Sequence, residues 1–124
     1  MLVLIVEDNE RNRRLARDVL QAAGFETEEA VDARSGVEAA HRVHPDAVLL
    51  DIRLPDKSGE VALAELRADP ETADIPVVAV TAHAMSDDRD RLMAAGFDGY
   101  IAKPIDIRRF PGQVRSFCSG SSRP

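Results

Sequence analysis

The stretch Leu2-Val3-Leu4-Ile5-Val6-Glu7-Asp8 runs an unbroken apolar segment straight into two carboxylates. A run that short and that uniformly apolar reads as a strand buried on both faces, as in a parallel sheet. The same grammar recurs downstream. Val48-Leu49-Leu50 ends at Asp51, Val77-Val78-Ala79-Val80 at Thr81, and Tyr100-Ile101-Ala102 at Lys103. If these strands are parallel, their ends share one rim, and open parallel sheets bind ligands at the carboxyl ends of their strands. Carboxylates, a hydroxyl and an amine gathered there describe a small polar pocket for a metal and a phosphoryl group.

Working outward, the segments between the strands read as helices. Asp8 or Asn9 caps a helix with Leu15, Ala16, Val19, Leu20 and Ala23 at helical spacing, and Gly24 stops it. Residues 25–31 form a weaker, half-exposed strand, expected at an edge. Asp32 caps a second helix carrying Val37, Ala40 and Val43, and Pro45 ends it. The turn-rich loop Leu54-Pro55-Asp56-Lys57-Ser58-Gly59 leads into a third helix with Val61, Leu63, Ala64 and Leu66, closing near Asp69-Pro70. Ser86 or Asp87 caps a fourth, through Leu92, Met93 and Ala95. Strand and helix alternate throughout, and each connection is long enough for a parallel crossover. The fold class is a doubly wound α/β sandwich with five parallel strands and helices on both faces. Pro111 and Gly112 interrupt the last helix, which is expected to start at Pro111 and carry Val114 and Phe117.

A chain of 124 residues suits one domain, expected over residues 1–118, with Ser119-Gly120-Ser121-Ser122-Arg123-Pro124 as a frayed tail. The Met1 start and that tail favour a complete protein. A formal charge of −6 and a pI near 5.0 argue against nucleic acid or an anionic membrane as partner. Arg11, Arg13, Arg14 and Arg17 read as a solvated helix face in preference to a docking surface. The single cysteine, Cys118, suits a reducing cytosol. With no signal region and no membrane-length apolar run, the expectation is a soluble cytoplasmic protein.

At the rim, Asp51 is the candidate nucleophile toward phosphorus, since a carboxylate forms an acyl phosphate once nearby charge is neutralised. Glu7 and Asp8 are adjacent anions, costly beside Asp51 unless a cation lies between them, and Mg2+ is the hard, oxygen-seeking choice. Lys103 adds a compact positive charge for phosphoryl oxygens and Thr81 a hydroxyl donor. Taken singly, each has a plain structural alternative as a cap, a turn former or a solvated side chain. Taken together, those alternatives leave unexplained why every strand end carries a complementary group.

Val6-Glu7-Asp8-Asn9, Asp51 with Pro55 and Gly59, the strand into Thr81-Ala82, and Tyr100-Ile101-Ala102-Lys103-Pro104 together resemble the receiver domain of bacterial two-component response regulators. The resemblance runs to about Ile107. Among receivers it is greatest to stand-alone regulators of the DivK-like kind, through Glu7-Asp8-Asn9-Glu10 and Val80-Thr81-Ala82-His83-Ala84-Met85. It implies a flavodoxin-like (CheY-like) sheet in the order 2-1-3-4-5. It implies Asp51 as phosphoacceptor, Glu7, Asp8, Asp51 and the Arg53 carbonyl around Mg2+, and Thr81 and Lys103 at the phosphoryl group. Tyr100 would be the switch aromatic coupled to Thr81, and the Lys103-Pro104 bond would be cis. The implied partners are a histidine kinase or histidine phosphotransfer protein and a downstream protein, with the chain a monomer or weak dimer. It would be no enzyme beyond its own phosphorylation and dephosphorylation.

Arg53, overhanging the site, has two open readings: a charged neighbour of the phosphoryl group, or a solvated arginine. His83 is read as an exposed histidine or a tuner of hydrolysis. Two rival functions are weighed. A magnesium phosphohydrolase with an aspartyl-phosphate intermediate typically carries Asp-x-Asp after its first strand and a cap, and this chain has neither. A pseudo-receiver or flavodoxin-like binding module fits less well, because the acidic trio is complete and no phosphate-cradling loop follows the first strand.

Overall fold

The computed structural model describes residues 1–82 and 86–118, without the side chains of residues 86 and 87. His83, the 83–85 segment of the loop before the fourth helix, and the 119–124 tail lie outside the described residues. The elements alternate in chain order: β1 (Leu2–Val6), α1 (Glu10–Ala22), β2 (Glu26–Ala30), α2 (Ala33–Val43), β3 (Ala47–Asp51) and α3 (Gly59–Ala68). Then come β4 (Val77–Thr81), α4 (Ser86–Ala95), β5 (Gly99–Ala102) and α5 (Phe110–Phe117). The sheet order is β2-β1-β3-β4-β5. All pairings are parallel. The expected edge position of the weak second strand is what the sheet adopts.

Period-two alternation sorts each strand between two cores. Leu4, Val6, Val48, Leu50 and Ala79 face α2, α3 and α4 through Ala39, Leu63, Leu66 and Leu92. Val3, Ile5, Leu49, Val78 and Val80 face α1 and α5 through Ala16, Leu20, Phe110 and Val114. Covering both faces explains why β1 is apolar throughout and why β3 and β4 are apolar up to their last residues, Asp51 and Thr81.

Caps set where the helices begin. Asn9, not Asp8, caps α1, its side chain accepting from the Asn12 N–H. Asp32 caps α2 with a reciprocal Ser35 contact. Asp56 adds a cap from a distance, its carboxylate accepting from the N–H groups of Ala33 and Arg34 at 2.9 and 3.0 Å, which holds its pKa below the usual value. The loop after β3 is thereby tied to the start of α2. Pro111 falls in the first turn of α5, where its missing N–H costs nothing, and the Asp106 carboxylate holds the turn before it. No helix among the described residues is long and apolar enough to cross a membrane.

Candidate functional site

The carboxyl ends of β1, β3, β4 and β5 bring the rim residues together. Glu7 and Asp51 are each 6% exposed and Thr81 7%. Asp8, next to them, is exposed. The Lys103 ammonium bridges the two buried carboxylates, 2.6 Å from Glu7 Oε1 and 2.9 Å from Asp51 Oδ2.

Backbone donors hold both carboxylates. The Asn9 N–H donates to Glu7 Oε2 at 3.2 Å and the Arg53 N–H to Asp51 Oδ1 at 2.9 Å. Gly59 lies against the same strand end. A Cβ there would meet the Asp51 carbonyl at 2.7 Å and the Ile52 Cα at 2.9 Å, so only glycine lets α3 start this close to the end of β3.

The electrostatics are unbalanced. Two buried anions share one ammonium, and burial, then the hydrogen-bonded Asp51, push Glu7 up to about 7 against the pull of Lys103 and the Asn9 N–H. Burial lowers Lys103, but its contacts with Glu7 and Asp51 outweigh that and leave it raised, so it stays charged at neutral pH. One oxygen each from Glu7, Asp8 and Asp51 lies within 4.8 Å of the others. An all-carboxylate donor set with surplus negative charge fits a hard divalent cation such as Mg2+.

Asp51, Ile52, Arg53, Thr81, Ala82 and Lys103 line a cavity of about 100 Å³. A larger, mostly apolar cavity of about 290 Å³ opens beside it, with Leu15 and Ala16 of α1 facing Pro104, Ile105 and Phe110, and Glu7 and Lys103 on the wall. Arg53 itself is exposed. The Lys103-Pro104 peptide is cis. Thr81 and Tyr100 project on the same side of the sheet, because Tyr100 is in register with Ala79, two residues before Thr81. Tyr100 is half-buried against the core beneath α3 and α4.

The reading of Arg11, Arg13, Arg14 and Arg17 as one solvated face needs correction. Arg14 is 61% exposed, but the Arg13 side chain is only 15% exposed. Arg13 Nη1 donates to the Glu7 carbonyl at 3.0 Å and Nε lies 3.3 Å from Glu29 Oε1. Helical spacing placed these arginines along α1 without showing that an edge strand runs alongside. The supporting roles of Asn9, Arg13 and Asp56 were likewise hidden, since each acts through a backbone group whose position no residue type reveals.

Comparison with known proteins agrees with this geometry. Residues 3–115 match the response regulator receiver domain family. The chain is 46% identical to the polar-differentiation response regulator DivK of Brucella ovis over 118 residues, covering 93% of this chain and 94% of that protein. The receiver domain of a Pseudomonas aeruginosa sensor histidine kinase, solved with a magnesium ion coordinated in its active-site cleft, superposes with a TM-score of 0.86 at 31% identity, covering 95% of this chain and 97% of that one. The chemotaxis response regulator CheY4 of Vibrio cholerae shares the fold, with a TM-score of 0.87 at 23% identity, over 94% and 97% of the two chains. With the five-stranded order, the buried acidic rim and a family match over nearly its whole length, the chain belongs to the response regulator receiver domain family and is DivK-like within it.

Proposed function

We propose that Asp51 is the phosphoacceptor of a phosphorelay and that Glu7, Asp8, Asp51 and the Arg53 carbonyl form its Mg2+ site. The observation that carries this reading is the bridging of two buried carboxylates by Lys103 beneath a cavity of phosphoryl size. The phosphodonor is a histidine kinase or histidine phosphotransfer protein. The apolar cavity between α1 and the loop after β5 offers it a docking surface next to the acceptor.

The Asp51 carboxylate attacks phosphorus in line. The N–P bond of the phosphohistidine breaks, its electron pair returns to the imidazole, and an O–P bond to Asp51 forms. When held by Glu7, Asp8, Asp51 and the Arg53 carbonyl, Mg2+ would supply positive charge to the transferring group. Lys103 is the protein's own cation at the same place, and the Arg53 N–H keeps the acceptor oriented. The Thr81 hydroxyl then donates to the phosphoryl group, and Tyr100, on the same side of the sheet, follows it inward. Water later cleaves the acyl phosphate. The protein acts catalytically only on itself and its output is binding of a downstream protein, in the cytoplasm, from residues 1–118 as the working domain.

Incubation with acetyl phosphate and Mg2+ followed by intact mass tests this. One labile phosphoryl adduct is expected, absent without Mg2+ and absent in Asp51→Asn. No adduct where a known receiver is labelled, or steady turnover of a small phosphate ester lost in Asp51→Asn, would overturn it.

A further inference from the structure

Glu7 is held on both sides of its own backbone. Its N–H donates to the Ala30 carbonyl of β2 at 3.0 Å. Its carbonyl accepts from Arg13 Nη1 at 3.0 Å. Arg13 is itself anchored, Nε lying 3.3 Å from Glu29 Oε1, and Glu29 sits in β2 in register with Ile5. Arg17 reinforces the anchor, Nη1 lying 3.6 Å from the other Glu29 oxygen. The chain of contacts therefore runs from the edge strand through one guanidinium to the peptide between Glu7 and Asp8.

That peptide is planar, so fixing its carbonyl fixes the direction in which the chain leaves for Asp8. Glu7 and Asp8 are neighbours that both have to aim at one cation, although successive side chains along an extended chain point opposite ways. A rotation of the intervening peptide plane would redirect Asp8, which is exposed and has no strand pairing to hold it. The fork geometry matters as well: a guanidinium presents Nε and Nη1 at a fixed spacing to two acceptors, which a single ammonium does not do.

We propose that Arg13 is a positioning residue for the acidic pair, a guanidinium clamp that pins the Glu7-Asp8 peptide to the edge strand and so sets the affinity for the divalent cation. This rests on the Mg2+ site proposed above. Outer-sphere partners of metal ligands typically change metal affinity by about tenfold or more when removed.

The test is calorimetric titration of the whole chain with Mg2+, alongside urea unfolding. Arg13→Met is expected to raise the Mg2+ Kd about tenfold. Glu29→Gln, which loosens the anchor but leaves the clamp, should raise it by a smaller factor. Arg17→Met, which touches Glu29 but not Glu7, should leave it within about twofold. A folded Arg13→Met protein with the wild-type Kd and only a lower urea midpoint would show a merely structural brace and overturn the proposal. Should that variant fail to fold, Arg13→Lys decides by the same criterion, a wild-type Kd again overturning it. Absence of Mg2+ binding by the wild type is a different failure, which removes the Mg2+ reading itself and this proposal with it.

Discussion

The two ends of the sheet are both rich in carboxylates, yet they use them in opposite ways. At the amino ends Asp46 and Asp98 are matched to donors. Asp46 accepts from the Leu2 N–H at 2.8 Å and Asp98 from the Val77 N–H at 2.8 Å, capping the entries to β1 and β4. Arg67 binds Asp98 at 2.8 Å and also donates to the carbonyls of Ala73, Ile75 and Gly96. His41 lies between Asp69 and Glu71, which are partly or largely exposed. Charge there is balanced or solvated, and its effect is to end strands and helices cleanly.

At the carboxyl ends Glu7 and Asp51 are buried and have one ammonium between them. Burial first, and then the neighbouring Asp51, pushes Glu7 up to about 7. A stability-driven arrangement would not retain such a surplus, because an imperfectly compensated buried charge is costly. Balanced carboxylates end strands and helices; an unbalanced buried set is what the proposed cation and phosphoryl site calls for.

The largest effect that could break this contrast is at Asp51. Asp51→Asn should abolish the phosphoryl adduct completely while leaving the metal-free protein at least as stable as wild type, since it removes one of two like charges. A large loss of stability by urea unfolding would mean that the acceptor is a structural carboxylate after all. At the other end, Arg67→Ala should cost about 2–3 kcal/mol of stability, because it strips charge-assisted bonds from Asp98 and from loop carbonyls. Its Mg2+ affinity should not move; a shift in Mg2+ Kd would blur the separation of the two ends.

A smaller effect is the pH dependence of the metal-free protein. Glu7 lies above its ordinary 4.5 in the folded state, so the folded chain holds the proton more tightly than the unfolded one. Its contribution is complete below pH 4.5 and is lost as pH rises to about 7, with a slope of at most about 1.4 kcal/mol per pH unit. Lys103, raised above its ordinary 10.5, stays charged across that window. Denaturation midpoints taken without and with Mg2+ should therefore diverge toward neutral pH, and Glu7→Gln should flatten the metal-free profile. A profile rising through this window in both proteins would contradict the surplus.

The smallest expected change is at His44, the left-handed C-cap of α2 with φ 46°. His44→Gly should stabilise the fold by about 0.5–1 kcal/mol, because the side chain resists that conformation. Thermal melting checks it, and phosphorylation should be unaffected, the residue being at the amino ends of the sheet.

Much of this was legible from residue order. The apolar runs of β1, β3 and β4 carry their own burial pattern, and the polar residue closing each run marks the rim. The late start of α5 followed from Pro111, whose ring tolerates the first turn and not the second, although the helix begins one residue earlier than expected, at Phe110. Less legible were partnerships between a side chain and a distant backbone group. Asp56 reads as a turn residue, and nothing local announces that it caps α2. Arg13 and Arg14 are adjacent and alike in the chain, yet one lies against the edge strand and the other stands in solvent.

By itself, then, the sequence determined the alternation of strands and helices, the doubly wound class and the five rim residues, because hydrophobic period and strand-end chemistry are local properties. Only the tertiary structure decided that Lys103 bridges Glu7 and Asp51, that Gly59 lets α3 approach the end of β3, and that Arg13 reaches across to β2. Those depend on which strands become neighbours and on ångström-scale approach, quantities set by packing the whole chain and carried by no segment alone.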